Sequence, residues 1–141
     1  MLRRRIMFSL VGFLAIATVG LAQTVSSKAE KHTDKACWTC AEACLDCIDS
    51  CAVAMAKDPS RLACLQACVA CNRECVKCAH HCDSGTCTPA IMGKCEAASR
   101  KCLAECEKHA SQDPTCKACA EACRECIKHC EEGKKQASLK S

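Results

Sequence analysis

Along most of this chain, side chains of one type recur every three or four residues, and polar or charged residues lie between them. This spacing places the recurring side chains on one face of an α-helix. In a helical bundle that face usually carries leucine or isoleucine, whereas here it carries cysteine. The pattern therefore predicts amphipathic helices with a sulfur-lined buried face. The three unbroken rows are Cys37, Cys40, Cys44, Cys47 and Cys51; Cys64, Cys68, Cys71, Cys75, Cys78 and Cys82; and Cys116, Cys119, Cys123, Cys126 and Cys130.

Capping residues divide this pattern into four helices. Asp58, Thr88 and Asp113 each precede a proline, and a good N-cap followed by proline marks a helix start. Gly85 is predicted to close the second helix and Gly133 the fourth. Because the connections are short, we expect an all-α fold, an antiparallel up-down-up-down four-helix bundle. The predicted helices are 34–57, 59–83, 89–110 and 114–132.

The cysteine rows repeat, with one exception. Residues 37–51 read CWTCAEACLDCIDSC and residues 116–130 read CKACAEACRECIKHC, with every cysteine in register. The third helix differs because other residue types share its buried row. Cys87 precedes that helix, in the loop after Gly85. The mixed row is Met92, Cys95, Ser99, Cys102, Cys106 and His109.

The N-terminal 22 residues resemble a cleavable signal peptide. Arg3, Arg4 and Arg5 are basic, residues 6–19 are apolar, and small residues precede Gln23. We therefore expect an exported, periplasmic protein, and both the twin-arginine and the Sec routes fit the segment. The remaining chain divides into a flexible segment at 23–32, the bundle domain at 33–133 and a flexible tail at 134–141.

Charge and composition narrow the function classes. Of the 20 basic residues three lie in the signal segment, which leaves 17 against 16 acidic residues. A chain so near neutrality gives no reason to expect nucleic-acid partners, or a membrane partner after cleavage. Trp38 is the only aromatic residue beyond that segment. Little hydrocarbon is therefore available for burial, and bound metal is expected to stabilise the fold.

Several roles for the cysteines are possible. A disulfide-stapled structural or interaction module explains their number but not their helical period. Iron–sulfur motifs gather four cysteines in a loop rather than along helices. A zinc or metallothionein-like thiol buffer would need about five tetrathiolate sites and would bury a charge of about −10. No lysine or arginine on the cysteine rows is expected to compensate it.

Cu(I) avoids this charge problem. It is soft and monovalent, so thiolates select it and one ion per thiolate is neutral overall. Multiple ions per chain, on the order of twenty, are predicted if most thiolates bridge two ions. The chain has no paired serine and histidine, no open three-ligand site with a base and no phosphate loop, so we do not expect an enzyme.

The repeated CxxC and CxxxC rows resemble those of the copper storage proteins, Cys-lined four-helix bundles, and the signal segment resembles that of their exported branch. The resemblance covers about residues 37–130. It implies bulk Cu(I) storage by core thiolates and homo-oligomers, often tetramers. It assigns the three rows together with Cys95, Cys102 and Cys106 as ligands. A copper chaperone or a cuproenzyme is the implied partner, and supply and detoxification both remain open.

Softer or neutral ligands gather at the helix ends. Cys87, His81, Met92 and His109 complete the predicted metal ligands. His80, His81, Met92 and His129 would share one end of the bundle, which we expect to be the entrance for copper. Interaction with the helix dipole or with water remains open for the histidines, and core packing for Met92.

Overall fold

The computed structural model describes residues 24–140 of the chain, with side chains from residue 35 onward. The predicted signal peptide at 1–22 lies outside these residues. Within the described part, no helix combines the length and apolar character needed to cross a membrane.

Four antiparallel helices form one bundle, as predicted. Neighbours along the chain pack against each other, and the first also packs against the fourth. The cyclic order leaves the first and third helices diagonally opposite, which is the up-down-up-down arrangement. The helices are α1 (Thr24–Ala54), α2 (Arg61–Asp83), α3 (Pro89–Glu107) and α4 (Pro114–Leu139).

Three of the predicted helix boundaries are confirmed by their capping geometry. The Thr88 hydroxyl accepts a hydrogen bond from the Ile91 amide at 3.3 Å, and α3 begins at the following proline. The Asp113 carboxylate accepts from the Thr115 amide at 2.9 Å at the start of α4. Gly85, after the end of α2, has a φ of 70°, a left-handed conformation that glycine adopts without steric cost.

The first connection departs from the prediction. α1 ends at Ala54 rather than 57, and α2 begins at Arg61 rather than 59. The reason is that Asp58 stabilises a turn instead of capping the helix directly: its Oδ1 accepts from the Ser60 amide at 3.1 Å. α3 also ends earlier than predicted, at Glu107 instead of 110.

The prediction that Gly133 ends the last helix is wrong, because α4 continues to Leu139. Gly133 serves packing: a Cβ atom there would lie 2.5 Å from the Met92 Sδ. The glycine therefore makes room for a thioether from α3. α1 likewise begins earlier than predicted, at Thr24, so helix covers much of the two segments predicted as flexible.

The core is built mainly of sulfur. Buried hydrocarbon is limited to small or single side chains such as Ala41, Ala79, Ala120 and Ile127. Cysteine thiols fill the axis between the four helices, as the spacing predicts. The cysteine rows therefore occupy the buried helix–helix interface that leucine and isoleucine occupy in other bundles.

Candidate metal centre

Eighteen of the twenty cysteines are buried, and the other two, Cys82 and Cys87, are half-buried. Because an α-helix turns once in 3.6 residues, the 3/4 spacing keeps each row on the inward face of its helix. The interruption at α3 also lies inside, since Ser99 is fully buried. The structure thus brings the predicted thiol ligands together along one axis.

The thiols lie at short and regular distances across the bundle. Many Sγ atoms have a neighbour at close range, for example at 3.4 Å between Cys47 and Cys116 and at 4.0 Å between Cys37 and Cys95. With metal–sulfur bonds of about 2.3 Å, sulfurs on one ion are about 3.8 Å apart in a tetrahedron and about 4.0 Å apart in a trigonal plane. The helices therefore hold the thiols at the separation that a shared metal ion requires.

Thiols on the same helix meet at this distance as well. Cys71 and Cys75 are 3.8 Å apart, and Cys102 and Cys106 are 3.9 Å apart. Each pair is separated by four residues, which is one helical turn. A metal ion can therefore be chelated within one helix and bridged to the next.

Groups of four thiols overlap along the axis. In each group the four Sγ atoms lie within 4.8 Å of one another. Cys44 and Cys123 belong to two of these groups, as do Cys119 and Cys47, so successive groups share corners. A shared thiolate bridges two ions, and the geometry supports a chain of clusters rather than isolated sites. Five of the groups are Cys37/Cys78/Cys95/Cys130, Cys40/Cys44/Cys71/Cys123, Cys44/Cys102/Cys119/Cys123, Cys47/Cys68/Cys106/Cys119 and Cys47/Cys51/Cys64/Cys116.

Ser99 interrupts this sulfur column. Its Oγ lies 3.5 Å from the Cys71 Sγ, 3.6 Å from that of Cys126 and 3.8 Å from that of Cys75. A hydroxyl is a poor ligand for a soft ion but a good hydrogen-bond donor to a thiolate. Ser99 can therefore hydrogen-bond to the neighbouring thiols, although its position in the α3 row supplies no sulfur ligand.

Close thiol–thiol contacts shift the pKa values of the core cysteines in both directions: the contact with Cys102, ahead of others, lowers the pKa of Cys71, whereas other thiols have a raised pKa. Contacts with Cys102 and then Cys119, together with burial, raise the pKa of the Cys44 thiol well above its ordinary value. The pKa of Cys95 is raised in the same way, by contacts with Cys126 and then with Cys130. A thiol that is protonated in the metal-free core would release its proton on binding a metal ion, so metal uptake would be coupled to proton release.

One end of the column contains a buried ion pair that the sequence reasoning missed. The Arg61 Nη1 donates to Asp113 Oδ2 at 2.7 Å and to the Cys116 Sγ at 3.4 Å. Ser50 Oγ donates to the same Asp113 oxygen at 2.7 Å. Arg61 and Asp113 are only 6% and 8% exposed. We call this the closed end, defined by Arg61 and Asp113 over Cys51, Cys64 and Cys116.

The expectation that no lysine or arginine lies on the cysteine rows is therefore wrong. Arg61 stands three residues before Cys64, so it continues the α2 row by one position. This three-residue spacing is the sequence feature that could have indicated that Arg61 faces the core. An ionic side chain at an inward position is rare unless it is paired, and its partner Asp113 lies 52 residues away.

The opposite end is formed by Cys78, Cys82 and Cys87, and we call these three residues the open end. The Cys78 and Cys87 Sγ atoms are 3.9 Å apart. Cys87 thus contacts the thiol column although it lies in the connection between α2 and α3. The structure thus brings the loop cysteine, a predicted metal ligand, beside a core thiol.

The other predicted ligands have separate contacts. His81 Nδ1 lies 2.9 Å from the Thr86 Oγ1, and Met92 is buried against Gly133. His109 is also buried, at the end of the α3 row, where its carbonyl accepts from the Asp113 amide at 3.0 Å. Metal ligation by these three residues stays a prediction.

Histidines predicted for the entrance also make local contacts. The ring of His80 packs edge-on against Trp38, with 5.0 Å between centroids. His129 Nδ1 lies 3.6 Å from the Glu132 carboxylate. Their role at an entrance likewise stays a prediction.

Comparison with known proteins bears out the resemblance seen in the sequence. The family model for copper storage protein matches residues 83–135. No curated protein gives a significant match to the chain. A cytosolic copper storage protein from Streptomyces lividans, solved with five coppers, is 27% identical, with a TM-score of 0.66 over 78% of this chain and 95% of that chain. The structure of the Streptomyces lividans protein Ccsp loaded with 10 copper equivalents is also 27% identical, with a TM-score of 0.65 over 79% of this chain and 88% of that chain.

Proposed function

We propose that this chain, which shares the thiol-lined bundle of the copper storage proteins, stores many copper ions as Cu(I). The observation that carries the proposal is the column of buried thiols, whose four-membered groups have all Sγ atoms within 4.8 Å of one another and share cysteines. Such a column suits bulk binding because each shared thiolate can bridge two ions. Storage, rather than catalysis, is the role that this arrangement supports.

The oxidation state follows from charge. A filled core with one Cu⁺ for each thiolate is neutral, whereas zinc tetrathiolates would leave many negative charges in a narrow interior. Arg61 adds a single positive charge at the closed end, and Asp113 already pairs with it. It therefore cannot offset a column of anionic sites. The copper bound by the Streptomyces relatives supports copper, rather than zinc, as the stored metal.

Export and partners extend this proposal. The N-terminal segment supports export to the periplasm, although the first Streptomyces relative is described as cytosolic. A copper chaperone or cuproenzyme would exchange copper with the store. Exposed apolar side chains on α1 and α2 support self-association, as in the tetramers that the family resemblance implies: Leu45, Val53, Leu62 and Val69.

Anaerobic titration of the reduced protein tests the function. We expect about one tight copper per cysteine, hence on the order of twenty ions, with the thiolate-to-copper absorption band rising until that point. Zinc is expected to saturate at about five ions, because each takes four thiolates. Tight binding of zinc together with weak copper binding would instead support a thiol buffer.

A thiol count on the freshly purified protein tests the remaining alternative. The storage proposal expects reagents for free thiols to find nearly all cysteines after unfolding. An almost complete absence of free thiols, in protein purified without oxidation, would support a disulfide-stapled module. The same count in protein purified with bound copper shows whether the ions protect the thiols.

A further inference from the structure

Exposure to solvent sets two cysteines apart from the rest of the thiol column. Cys82 and Cys87 are half-buried, whereas the other eighteen are buried. Cys82 lies in the last turn of α2, and Cys87 lies in the connection between α2 and α3. A reagent that is too large to enter the bundle therefore meets these two thiols first.

Hydrogen bonds hold this connection against the end of α2. The Thr86 amide donates to the His81 carbonyl at 2.8 Å, and the Ser84 hydroxyl donates to the same carbonyl at 3.1 Å. The Thr86 Oγ1 also lies 2.9 Å from the His81 Nδ1. These contacts return the chain toward α2, so that the Cys87 Sγ lies 3.9 Å from the Cys78 Sγ.

The Cys78 and Cys87 thiols need only a small movement to become covalently joined. A disulfide has an S–S distance of about 2.05 Å, so the two sulfurs must approach by about 2 Å from their present separation. A change of rotamer together with a small shift of the loop covers this distance, because Cys87 lies outside the helices. Both members of a core pair lie on packed helices, where the same approach would disturb the packing.

We propose that Cys87 and Cys78 are a redox-modification site: they form a reversible disulfide when a low-molecular-weight disulfide reaches the metal-free protein, and bound copper prevents this. The disulfide itself does not depend on the storage function, whereas its relation to copper rests on the proposed storage function. Oxidation is confined to one pair because the reagent can reach Cys87 but not the buried thiols.

The reaction consists of two thiol–disulfide exchanges. The Cys87 thiolate attacks one sulfur of the small disulfide, a mixed disulfide forms, and one reagent thiolate leaves. The Cys78 thiolate then attacks the Cys87 sulfur, and the second reagent thiolate leaves. The protons of the two protein thiols pass to these leaving groups. The protein pair is oxidised by two electrons and the reagent is reduced to two thiols, so a thiol reductant reverses both steps.

Cys82 is the competing partner, since its thiol contacts those of Cys78 and Cys87. Burial favours Cys78 over it. Cys78 is fully buried, so the reagent leaves it as a thiol that can attack while Cys87 carries the mixed disulfide. The half-buried Cys82 can itself be modified by the reagent. A disulfide between Cys78 and Cys82 is disfavoured, because side chains one turn apart on a helix point in the same direction.

Cys78 couples the disulfide to the metal content of the column. It belongs to the four-thiol group with Cys37, Cys95 and Cys130. The disulfide leaves that group with three thiols, because the thiolate is the form of cysteine that binds metal. Conversely, a copper ion bound by Cys78 occupies the sulfur that has to attack. The pair is therefore oxidised only while this end of the column is empty.

The first test treats the reduced, metal-free full-length chain briefly with oxidised glutathione. Remaining thiols are alkylated after unfolding, and the intact protein is weighed by mass spectrometry. We expect the first product to have lost two thiols and to retain no glutathione. Loss of many thiols at once, or a first product in which glutathione is retained, would overturn the proposal.

Two matched variants locate the reacting thiols. Cys87→Ser should form the glutathione-free product at least about tenfold more slowly than the unaltered chain, because the reagent no longer reaches a thiol beside Cys78. Cys51→Ser also removes one thiol, but a buried one at the closed end, and should react like the unaltered chain. Circular dichroism checks that both keep their helices. Equal rates in the two variants would contradict the site.

A mapping experiment on the unaltered chain does not depend on any variant folding. Cleavage after lysine and before aspartate separates residues 78–82, which contain Cys78 and Cys82, from residues 83–94, which contain Cys87. We expect the oxidised protein to yield these two peptides joined until dithiothreitol is added, with fragmentation placing the link at Cys78. A link at Cys82, or a link between other peptides, would overturn the assignment.

The last comparison tests the relation to copper. The unaltered chain is loaded anaerobically with Cu(I) before oxidised glutathione is added, and we expect the Cys78–Cys87 disulfide to form at least about tenfold more slowly than in the metal-free chain. Equal oxidation of the loaded and the metal-free chain would overturn the coupling. Failure of the chain to bind copper in large number would instead overturn the storage function, while the disulfide of the metal-free chain is decided by the first test alone.

Discussion

The two ends of the bundle are built from the same helical rows, yet they finish in opposite chemistry. At the closed end the α2 row finishes with Arg61, which is buried and paired with Asp113 at 2.7 Å. At the open end the same row finishes with Cys82, half-buried beside Cys87. One end fixes the helices with a salt bridge, and the other leaves soft ligands within reach of solvent.

This difference shows that a core of uniform composition can have two chemically different ends. The thiol column looks alike along most of its length, so the column alone cannot decide where ions enter. Removing one partner of a buried ion pair strongly destabilises the fold, because the remaining charge is then unpaired in the low-dielectric interior of the protein. The closed end therefore resists opening, whereas at the open end only half-buried thiols and a loop lie between solvent and the core.

Removing one side of the ion pair should give the largest effect. In the Arg61→Met variant, Asp113 keeps its buried carboxylate without the guanidinium, and we expect a loss of about 3 kcal/mol in the free energy of unfolding. Urea unfolding of the reduced, metal-free protein measures it. The Arg61→Met/Asp113→Asn variant should recover part of the loss, since both charges are gone. Equal stability of the single variant and the unaltered chain would show that the pair does not hold the closed end.

Acid should weaken the same end by a smaller amount. Burial tends to raise the pKa of Asp113, but hydrogen bonds from Thr115, Ser50 and Arg61 outweigh it and hold the pKa well below its ordinary value. A carboxyl with a lowered folded-state pKa contributes stability above its unfolded pKa of about 3.9, and this is lost as the pH falls further. We expect about 2 kcal/mol to disappear below about pH 4.

Unfolding measured across that pH range, with the Asp113→Asn variant alongside, checks the assignment. The variant should start less stable at neutral pH and lose less on acidification, because its side chain does not titrate. Parallel pH profiles for both proteins would mean that other carboxyls cause the acid sensitivity.

Completing the interrupted row should have the smallest effect. In the Ser99→Cys variant a thiol would lie among Cys71, Cys75 and Cys126, whose sulfurs surround the present hydroxyl at 3.5–3.8 Å. We expect the copper capacity to rise by about one ion, since a thiolate binds soft ions and a hydroxyl does not. Anaerobic titration and metal analysis measure it, with Ser138→Cys on the exposed surface of α4 as the control. An unchanged capacity would mean that the interruption is already bridged by neighbouring thiolates.

Much of this molecule could be predicted from local patterns. The 3/4 spacing of the thiols, the caps at Thr88 and Asp113 and the turn at Gly85 predicted four helices around a sulfur-lined axis, and the structure confirms them. Helical period, capping and turns depend on residues a few positions apart, so they can be read along the chain. Gly133 shows the limit, because its close contact is with Met92 of another helix.

Sequence alone determined that sulfur would line the interior, since side chains three and four residues apart must share a helical face. Only the tertiary structure decided which contacts are made at the two ends. Arg61 can be buried at the end of the column because Asp113, which is distant in sequence, accepts a hydrogen bond from it at 2.7 Å. Cys87 becomes part of the open end only when its loop folds back to within 3.9 Å of Cys78. Both contacts depend on which helix ends meet, and the packing of the whole bundle determines that.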